Sequence, residues 1–365
     1  MESFSVRGFL PTKDPATKFE KIPELAWLDE LGHDLPSLLQ RPDFRDYCRG
    51  LKILSWPEPS VTEEFIPELR LYYLRLGFLA SAYINQVGQP ACHTLPANIA
   101  APLVAACQLL KRPPILSYDG YALYNWKRFD KTKPIQLGNI DTLQNFVHLY
   151  DEHWFILVHV EIEALAATIM DAIESVLFNV EEVNDEQASS DVDFALARIS
   201  SALSRQVDVL RRTPEKMSPL RYFNQFRPYI RFFEQVVYEG VKLAPIDHRG
   251  ETGAQSSIMP TLVAFMKISH QPSELTNHLL DMRQYMPAVH RDFIAVVESA
   301  EDIKGKASSD AFNNVLELMA QFREVHYQWA IEYIAKRESD PRGTGGTPYM
   351  QWLKQLINET RAWKK

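Results

Sequence analysis

A histidine near the carboxyl end of the chain occupies an apolar helix face, where its ring nitrogen could bind a metal. His326 follows Phe322 by four residues and precedes Trp329 and Tyr333 by three and seven, so these side chains share one face of a helix. Such a histidine is usually a core residue bonded to a backbone carbonyl, but haem iron is also commonly held by one axial histidine. The spacing alone leaves both interpretations open.

Three further polar side chains stand out against apolar or aromatic surroundings. His159 lies in the apolar segment 154–160, and its ordinary interpretation is a hydrogen-bonded core histidine. Arg323 lies one helical turn before the first histidine, where its guanidinium could meet a propionate, an exposed ion pair being the alternative. Arg227 lies in the aromatic segment 222–233, and an arginine in such surroundings usually has a bound anion or a carboxylate partner.

Helical periodicity runs through most of the chain and must position these side chains. Apolar residues recur every three or four positions, whereas alternating runs bounded by turn residues are scarce. The sequence therefore predicts an all-α protein, with a smaller, mainly helical N-terminal domain over residues 1–145 and a large helical domain over 146–365. The predicted long helices cover residues 60–86, 152–178, 194–210, 259–269 and 310–336.

Polar segments rich in proline or glycine separate these helices. The stretches around Pro113 and over 127–139 predict connectors. Residues 181–191 predict a surface loop, and residues 240–257 predict a long irregular segment. Residues 337–347 contain three glycines and predict a mobile loop, a kind of segment that often carries function.

Composition and charge exclude several classes of protein. The formal net charge of −8 repels phosphate backbones, so we expect no nucleic-acid partner. No apolar run is long enough for a membrane span. The three cysteines lack metal-binding spacing and favour a reducing compartment, the cytoplasm. We expect a monomer or a weak homo-oligomer with small-molecule partners.

Short motifs spread along the chain resemble, in order, those of the indoleamine 2,3-dioxygenases. They run from about residue 95 to 352, while the first 90 residues match less clearly. Each motif is weak by itself, but the ordered set is specific. The matching segments are LPANIA at 95–100, PPIL at 113–116, NWK at 125–127, GAQSS at 253–257, LDMRQYMP at 280–287 followed by His290 and Arg291, and GTGGT at 343–347.

This resemblance implies a haem-dependent dioxygenase that inserts O₂ across the indole C2–C3 bond of tryptophan and yields N-formylkynurenine. The implied cofactor is haem b, with its iron on His326 and a propionate on Arg323. The N-terminal domain would cover the distal side of the haem pocket. Two alternatives stay open: the same haem site acting on a different indole or aromatic amino acid, and a non-catalytic haem-binding sensor.

The resemblance also implies the substrate site. Arg227 corresponds to the arginine that holds the substrate carboxylate, and Tyr222 departs from the family's usual phenylalanine. Gly253 would lie beside both substrate and haem. The implied substrate-binding residues are Tyr118, Tyr222, Phe223, Arg227, Thr252, Gly253 and Thr344.

Two further positions depart from the mammalian enzymes. His159 aligns with their distal serine, and a distal histidine is typical of the related tryptophan 2,3-dioxygenases. A shift of two residues would place Leu157 there, but the alignment that also matches Glu163 favours His159, which would accept a hydrogen bond from the indole N–H. Val263 aligns with an aspartate near the proximal histidine, so the hydrogen-bond partner of His326 must come from elsewhere, for example from a backbone carbonyl or water.

Overall fold

Helices dominate the computed structural model, which describes residues 3–57, 62–90, 92–178, 185–337 and 348–365. The all-α prediction is therefore confirmed. The helices are α1 (Trp27–Leu38), α2 (Phe44–Arg49), α3 (Ile66–Ile84), α4 (Ala97–Leu109), α5 (Tyr150–Phe178), α6 (Asp185–Arg211), α7 (Pro219–Arg221), α8 (Ile258–Phe265), α9 (Glu274–Arg283), α10 (Ala288–Ser299), α11 (Ser309–Ala330) and α12 (Tyr349–Ala362).

Short strands fasten the connecting segments to one another. In chain order they are β1 (Thr94–Leu95), β2 (Lys127–Arg128), β3 (Ile140–Asp141), β4 (Phe233–Tyr238) and β5 (Ile246–His248). β4 is the middle strand of a three-stranded sheet, parallel to β1 and antiparallel to β5, while β2 and β3 form an antiparallel pair. The β4–β5 pair lies within the segment that leads from α7 to α8, so it fixes the path of the chain between them.

The helices α5, α6, α11 and α12 pack against one another and carry the carboxyl-terminal part of the core. Their apolar residues recur every three or four positions, so each helix turns a stripe towards its neighbours. Ile156 on α5, Leu203 on α6 and Val315 on α11 have no exposed surface. Burying one such side chain stabilises the fold by roughly 1.5–3 kcal/mol.

Helix α3 is apolar on every side. All residues from Leu69 to Ile84 except Arg70 are buried, as expected of a helix enclosed by others. Phe78 on α3 packs on Phe146, with ring centroids 4.5 Å apart, across the predicted domain boundary. One hydrophobic core thus contains residues from both sides of that boundary, and the division into two domains stays a prediction.

One predicted loop is partly helical. Helix α6 begins at Asp185, so the surface loop predicted over 181–191 is wrong from that residue onward. The first turns of α6 are polar and largely exposed, with Gln187 Nε2 donating to Asp191 at 2.8 Å, and they lack the apolar stripe that would signal a helix. Among the described residues, no helix is long and apolar enough to cross a membrane.

π-Helical turns interrupt the regular helices beside the residues that the sequence singles out. In the described part of the chain they comprise Asp119–Leu123, Tyr222–Phe226 and Ile331–Ala335. The first directly follows Tyr118, the second ends next to Arg227, and the third continues α11 beyond His326. Single π turns inside helices are frequent at functional sites, because they re-aim side chains that an unbroken helix would direct elsewhere.

Candidate functional site

His326 combines deep placement with an accessible side chain. Burial lowers its pKa to about 4, yet the residue is exposed. Both statements hold for a ring that is surrounded by many protein atoms but touched by few, as in the wall of an internal cavity. At neutral pH the imidazole is uncharged, so a nitrogen lone pair is available to a metal.

The His326 imidazole makes no hydrogen bond to another residue in the described part of the chain. Val263, which we expect at the position of the mammalian aspartate, is a half-buried residue of α8. Its apolar side chain offers no acceptor, so the proposed backbone or water partner of His326 stays a prediction.

The second histidine that the sequence singled out, His159, lies on α5. A positive charge on His159 lowers the pKa of His326, so the two rings are close enough for their charges to interact. The Nδ1 of His159 lies 2.7 Å from the carbonyl oxygen of Phe155. Because a carbonyl only accepts, Nδ1 carries the hydrogen and Nε2 keeps its lone pair. Burial lowers the pKa of His159, which leaves a neutral ring that can accept one hydrogen bond.

One face of α5 presents Phe155, His159 and Glu163 at steps of four residues. The ring of Tyr118 stands 5.9 Å from the His159 ring, and its hydroxyl donates to Glu163 Oε1 at 3.0 Å. The Ser256 hydroxyl donates to the same oxygen at 2.6 Å. Burial raises the pKa of Glu163 to about 7. These bonds tie α5 to both neighbouring segments of the site.

Leu157 has a different environment from His159. Its side chain is only 1 % exposed, within the hydrophobic core, whereas His159 is half-buried. Glu163, which favours the alignment through His159, makes hydrogen bonds to two other segments of the site. His159 therefore remains our predicted distal residue.

Aromatic rings join the histidine pair to a buried arginine. Phe155 lies 4.7 Å from His159 and 5.5 Å from Tyr222 by ring centroids. The Arg227 guanidinium stands 5.4 Å from the ring centroid of Phe223, and only 2 % of the residue is exposed. Burial raises the pKa of Tyr222, while a hydrogen bond to Arg227 and its positive charge oppose that rise.

The segment between β5 and α8 supplies the loop residues of the site. Thr252 caps the short helical turn Gly253–Gln255, its hydroxyl accepting from Ala254 N at 3.4 Å. A Cβ added at Gly253 would meet no atom within 4 Å. The loop therefore allows a bound group to approach the backbone closely at that glycine.

Arg323 is a buried cation with neutral hydrogen-bond partners. Its Nη1 donates to the carbonyl oxygen of Leu356 at 3.3 Å and to the hydroxyl of Thr360 on α12. Burial lowers its pKa to about 10, while the charge of Glu359 opposes this. Within the described ranges no carboxylate lies in ion-pair contact with Arg323, so an incoming anion would be stabilised there.

The donor set fits haem better than a metal bound by protein alone. In the described part of the chain, no group of three or more His, Cys, Asp or Glu side chains is placed to hold a metal ion. A single neutral imidazole suffices when a porphyrin supplies the other ligands. His326 offers that imidazole, Arg323 offers a cation for a propionate, and Gly253 offers backbone without a side chain.

Comparison with known proteins covers nearly the whole chain. A family model described as indoleamine 2,3-dioxygenase matches residues 1–341.

The chain belongs to the indoleamine 2,3-dioxygenase family.

The family prediction is thereby confirmed, together with its implication of a dioxygenase, an oxidoreductase. The indoleamine 2,3-dioxygenase of Saccharomyces cerevisiae is 28 % identical, over 97 % of this chain and 91 % of the relative. A 6-hydroxytryptophan 2,3-dioxygenase of Fusarium equiseti is 24 % identical, over 96 % and 94 %. A myoglobin of Haliotis madaka is 26 % identical, over 91 % and 90 %.

Most of the residues that the indoleamine 2,3-dioxygenase resemblance assigned come together in the fold. A continuous series of ring and hydrogen-bond contacts links Tyr118, His159, Phe155, Tyr222, Arg227 and Phe223. Thr252 and Gly253 follow in a loop that Gln255 ties to Tyr118, since Tyr118 N donates to Gln255 Oε1 at 2.9 Å. Thr344 lies outside the described residues.

Sequence reasoning missed several members of this site. Tyr121 lies 6.2 Å from Phe155 by ring centroids and donates to Glu152 at 3.1 Å. Glu251, directly before Thr252, is a buried acid whose pKa burial raises to about 8. A lone glutamate in an irregular loop carries no sequence signal of burial, whereas the four-residue spacing from His159 could have singled out Phe155.

Proposed function

We propose that this protein is a haem-dependent dioxygenase that inserts both atoms of O₂ across the indole C2–C3 bond of tryptophan, giving N-formylkynurenine. The observation that carries the proposal is the pair of neutral imidazoles, His326 on α11 and His159 on α5, which are close enough for their charges to interact. One of them has no hydrogen bond to a described residue and suits a metal. His159 donates from Nδ1 to the carbonyl oxygen of Phe155, so its Nε2 keeps a lone pair that can accept a hydrogen bond from a substrate N–H.

The chain's own residues would bind and orient the substrate. Arg227 would hold the tryptophan carboxylate through two parallel hydrogen bonds, which its planar guanidinium favours. His159 Nε2 would accept the indole N–H, so both ends of the substrate are held. Such orientation lowers a barrier by several kcal/mol, up to roughly 7–11 in the best cases. The aromatic walls Tyr118, Tyr222 and Phe223 would pack on the indole and exclude water.

Haem b would be held by His326 at its iron and by Arg323 at a propionate, with Gly253 beside the porphyrin. When bound, it supplies the iron chemistry that activates O₂. The protein contributes the neutral imidazole of His326 and the buried cation of Arg323. Thr252 would lie beside substrate and haem, and we propose that Thr344 acts near the substrate ammonium and carboxylate.

Two relatives define the alternatives. The Fusarium protein named for 6-hydroxytryptophan, and the hydroxyl that Tyr222 adds to the pocket, support a substituted indole as the substrate. The Haliotis myoglobin supports a haem protein without this catalysis. Arg227 favours catalysis, because a buried arginine beside the aromatic walls has no part in holding haem.

The decisive experiment is turnover by the purified, haem-loaded and reduced protein, supplied with tryptophan and isotopically labelled O₂. We expect N-formylkynurenine carrying two labelled oxygen atoms, detected by absorbance and mass spectrometry. Haem binding with turnover of another indole only would favour the substituted substrate. Haem binding with no turnover of any indole would favour the non-catalytic function, and failure to bind haem would contradict all three.

Three remaining features are proposals as well. The cysteines Cys48, Cys92 and Cys107 are unpaired, which supports the cytoplasm as location. We further propose a monomer or weak homo-oligomer, and an N-terminal part over 1–145 that covers the distal side of the pocket. Sedimentation of the purified protein and limited proteolysis at that boundary test these two proposals.

A further inference from the structure

Gln255, in the loop between β5 and α8, is a buried residue that the proposed mechanism does not use. Only 1 % of the residue is exposed, and both ends of its side-chain amide form hydrogen bonds. Its Oε1 accepts from the Tyr118 amide at 2.9 Å, and its Nε2 donates to the carbonyl oxygen of Gly250 at 2.9 Å. An amide that accepts at one end and donates at the other holds two backbone segments at a fixed separation.

The first segment that this amide holds carries Tyr118. That residue is 2 % exposed, and its hydroxyl donates to Glu163 Oε1 at 3.0 Å. Its ring centroid lies 5.9 Å from that of His159. Tyr118 is therefore fixed both at its backbone and at the far end of its side chain, so its ring keeps one position beside the proposed distal histidine.

The second segment, around Gly250, packs against the turn that carries Arg227. Arg227 begins a short 3₁₀ turn that ends at Ile230. The carbonyl oxygen of Ile230 accepts from the amide of Glu251, the residue after Gly250, at 3.1 Å. A Cβ on Gly250 would lie 2.3 Å from the same oxygen, so the loop backbone lies directly against this turn. A displacement of the loop would therefore displace the end of the turn as well.

Three hydrogen bonds make up what we call the Gln255 clamp: Tyr118 N to Gln255 Oε1, Gln255 Nε2 to Gly250 O, and Glu251 N to Ile230 O. The clamp joins the segment of Tyr118 to the turn that begins with Arg227. Ring contacts through Phe155 join the same two regions. Apolar contacts are non-directional, whereas hydrogen bonds require narrow ranges of distance and angle. The clamp therefore fixes the separation of the two regions more closely than ring packing does.

We propose that Gln255 is a positioning residue that sets the span between the ring-binding wall and Arg227, and thereby selects indole acids of one chain length. This inference rests on the proposed function, since it takes Arg227 as the group that holds the carboxylate and Tyr118 and His159 as groups beside the indole. A ligand whose ring and carboxylate match the fixed span makes both contacts within one complex. A ligand that is one methylene shorter or longer loses part of one contact.

The test uses ligands that differ only in chain length. Indole-3-acetate, indole-3-propionate and indole-3-butyrate carry the same ring and carboxylate, and the propionate has the same number of carbon atoms between them as tryptophan. Their dissociation constants are measured by calorimetry on the haem-loaded protein. We expect the wild type to bind the propionate about tenfold or more tightly than either neighbour, as a well-formed hydrogen bond between charged groups provides. In Gln255→Met, which lacks both side-chain bonds of the clamp, that ratio should fall to about one.

Two further variants separate positioning from folding. Gln255→Asn keeps an amide but is one methylene shorter, so it can pair with only one of the two segments and should lose most of the preference. Gln206→Met is the matched control, because Gln206 is fully buried on α6 and donates to Ile162 O at 2.8 Å, outside the clamp. It should keep the wild-type ratio. The wild-type series and Gln255→Asn test the proposal even if Gln255→Met does not fold.

The outcomes for Gln255 and for the proposed function are distinct. Equal binding of the three acids by the wild type, or the wild-type ratio in Gln255→Met or Gln255→Asn, would overturn the role of Gln255 while tryptophan turnover persists. An equal loss of the ratio in Gln206→Met would also overturn it, because the loss would then not depend on the clamp. Failure of the wild type to turn over tryptophan or any other indole would instead contradict the proposed function, and with it the orientation on which this inference rests.

Discussion

The Tyr118 hydroxyl donates a hydrogen bond of 3.0 Å to Glu163, across 45 residues of sequence. This bond joins the segment before the first π turn to the helix that carries His159 one turn earlier. The same carboxyl oxygen accepts from Ser256, so the loop before α8 is fixed to the same point. One buried acid thereby positions an aromatic wall, the proposed distal histidine and the substrate loop relative to one another.

Glu163 should make stability depend on pH. Burial raises its folded pKa from 4.5 to about 7, so between these values the folded state binds more protons than the unfolded state. Its contribution to the free energy of unfolding is therefore present below the unfolded pKa and lost as pH rises through about 7. The free energy of unfolding, measured by urea denaturation, should therefore fall less between about pH 5 and about pH 8 in Glu163→Gln than in the wild type.

Glu161→Gln is the matched control, because Glu161 lies on the same helix but is only half-buried and accepts a single bond from Leu137 N. It should keep the wild-type difference between the two pH values. The same pH difference in wild type and Glu163→Gln would contradict the assignment.

His326→Ala should abolish haem retention, because it removes the neutral imidazole that we propose as the protein ligand of the iron. Haem content is measured from the Soret band relative to protein absorbance. Imidazole added to the medium should restore part of it, which a merely structural role of His326 would not allow. His93→Ala, at an exposed histidine, serves as control and should retain full haem. Normal haem content in His326→Ala would refute the ligand assignment.

The sequence predicts the helices well because each depends on a local apolar pattern. Those around His326 and His159 coincide with α11 and α5. The closeness of the two histidines could not be predicted from either helix alone, since it depends on how α5 and α11 each pack against α6. The ordered family motifs therefore carried the assignment of both histidines.

What the sequence missed follows from physical causes that leave no pattern. Glu251 is buried because the β4–β5 pair and the Gln255 clamp return its loop to the core, and neither is encoded next to it. The start of α6 was missed because an exposed polar helix resembles a loop in composition. Only long-range contacts distinguish such residues from ordinary surface positions.

Gly250 should be intolerant of any side chain. A Cβ there would lie 2.3 Å from Ile230 O, closer than atoms can approach, so the loop would have to shift. We expect Gly250→Ala to lower the free energy of unfolding by about 1–3 kcal/mol, measured by urea denaturation. Gly253→Ala is the matched control, because its Cβ would meet nothing within 4 Å. Its stability should change by less than about 0.5 kcal/mol, and equal effects would contradict the clamp.

Arg227→Lys should weaken the use of tryptophan without affecting haem. Lysine keeps the charge but lacks the planar guanidinium that makes two parallel bonds. We expect kcat/KM for tryptophan to fall about ten- to a hundredfold, as loss of one bond between charged groups predicts, with an unchanged Soret band. Arg221→Lys, at an exposed arginine paired with Asp151, should leave kcat/KM at the wild-type value. An equal fall in both variants would contradict the role of Arg227.

A ligand whose ring nitrogen cannot donate a hydrogen bond tests whether His159 or Leu157 is the distal residue. If His159 Nε2 accepts the indole N–H, His159→Leu should weaken tryptophan binding about tenfold but leave the binding of 1-methyltryptophan nearly unchanged. Leu157→Ala removes a side chain that is 1 % exposed, so it should lower stability by about 2–5 kcal/mol and alter both ligands alike. Calorimetric titration of both variants with both compounds provides the four dissociation constants. Equal weakening of the two ligands in His159→Leu would exclude the hydrogen bond, because the methylated ring has no N–H to lose.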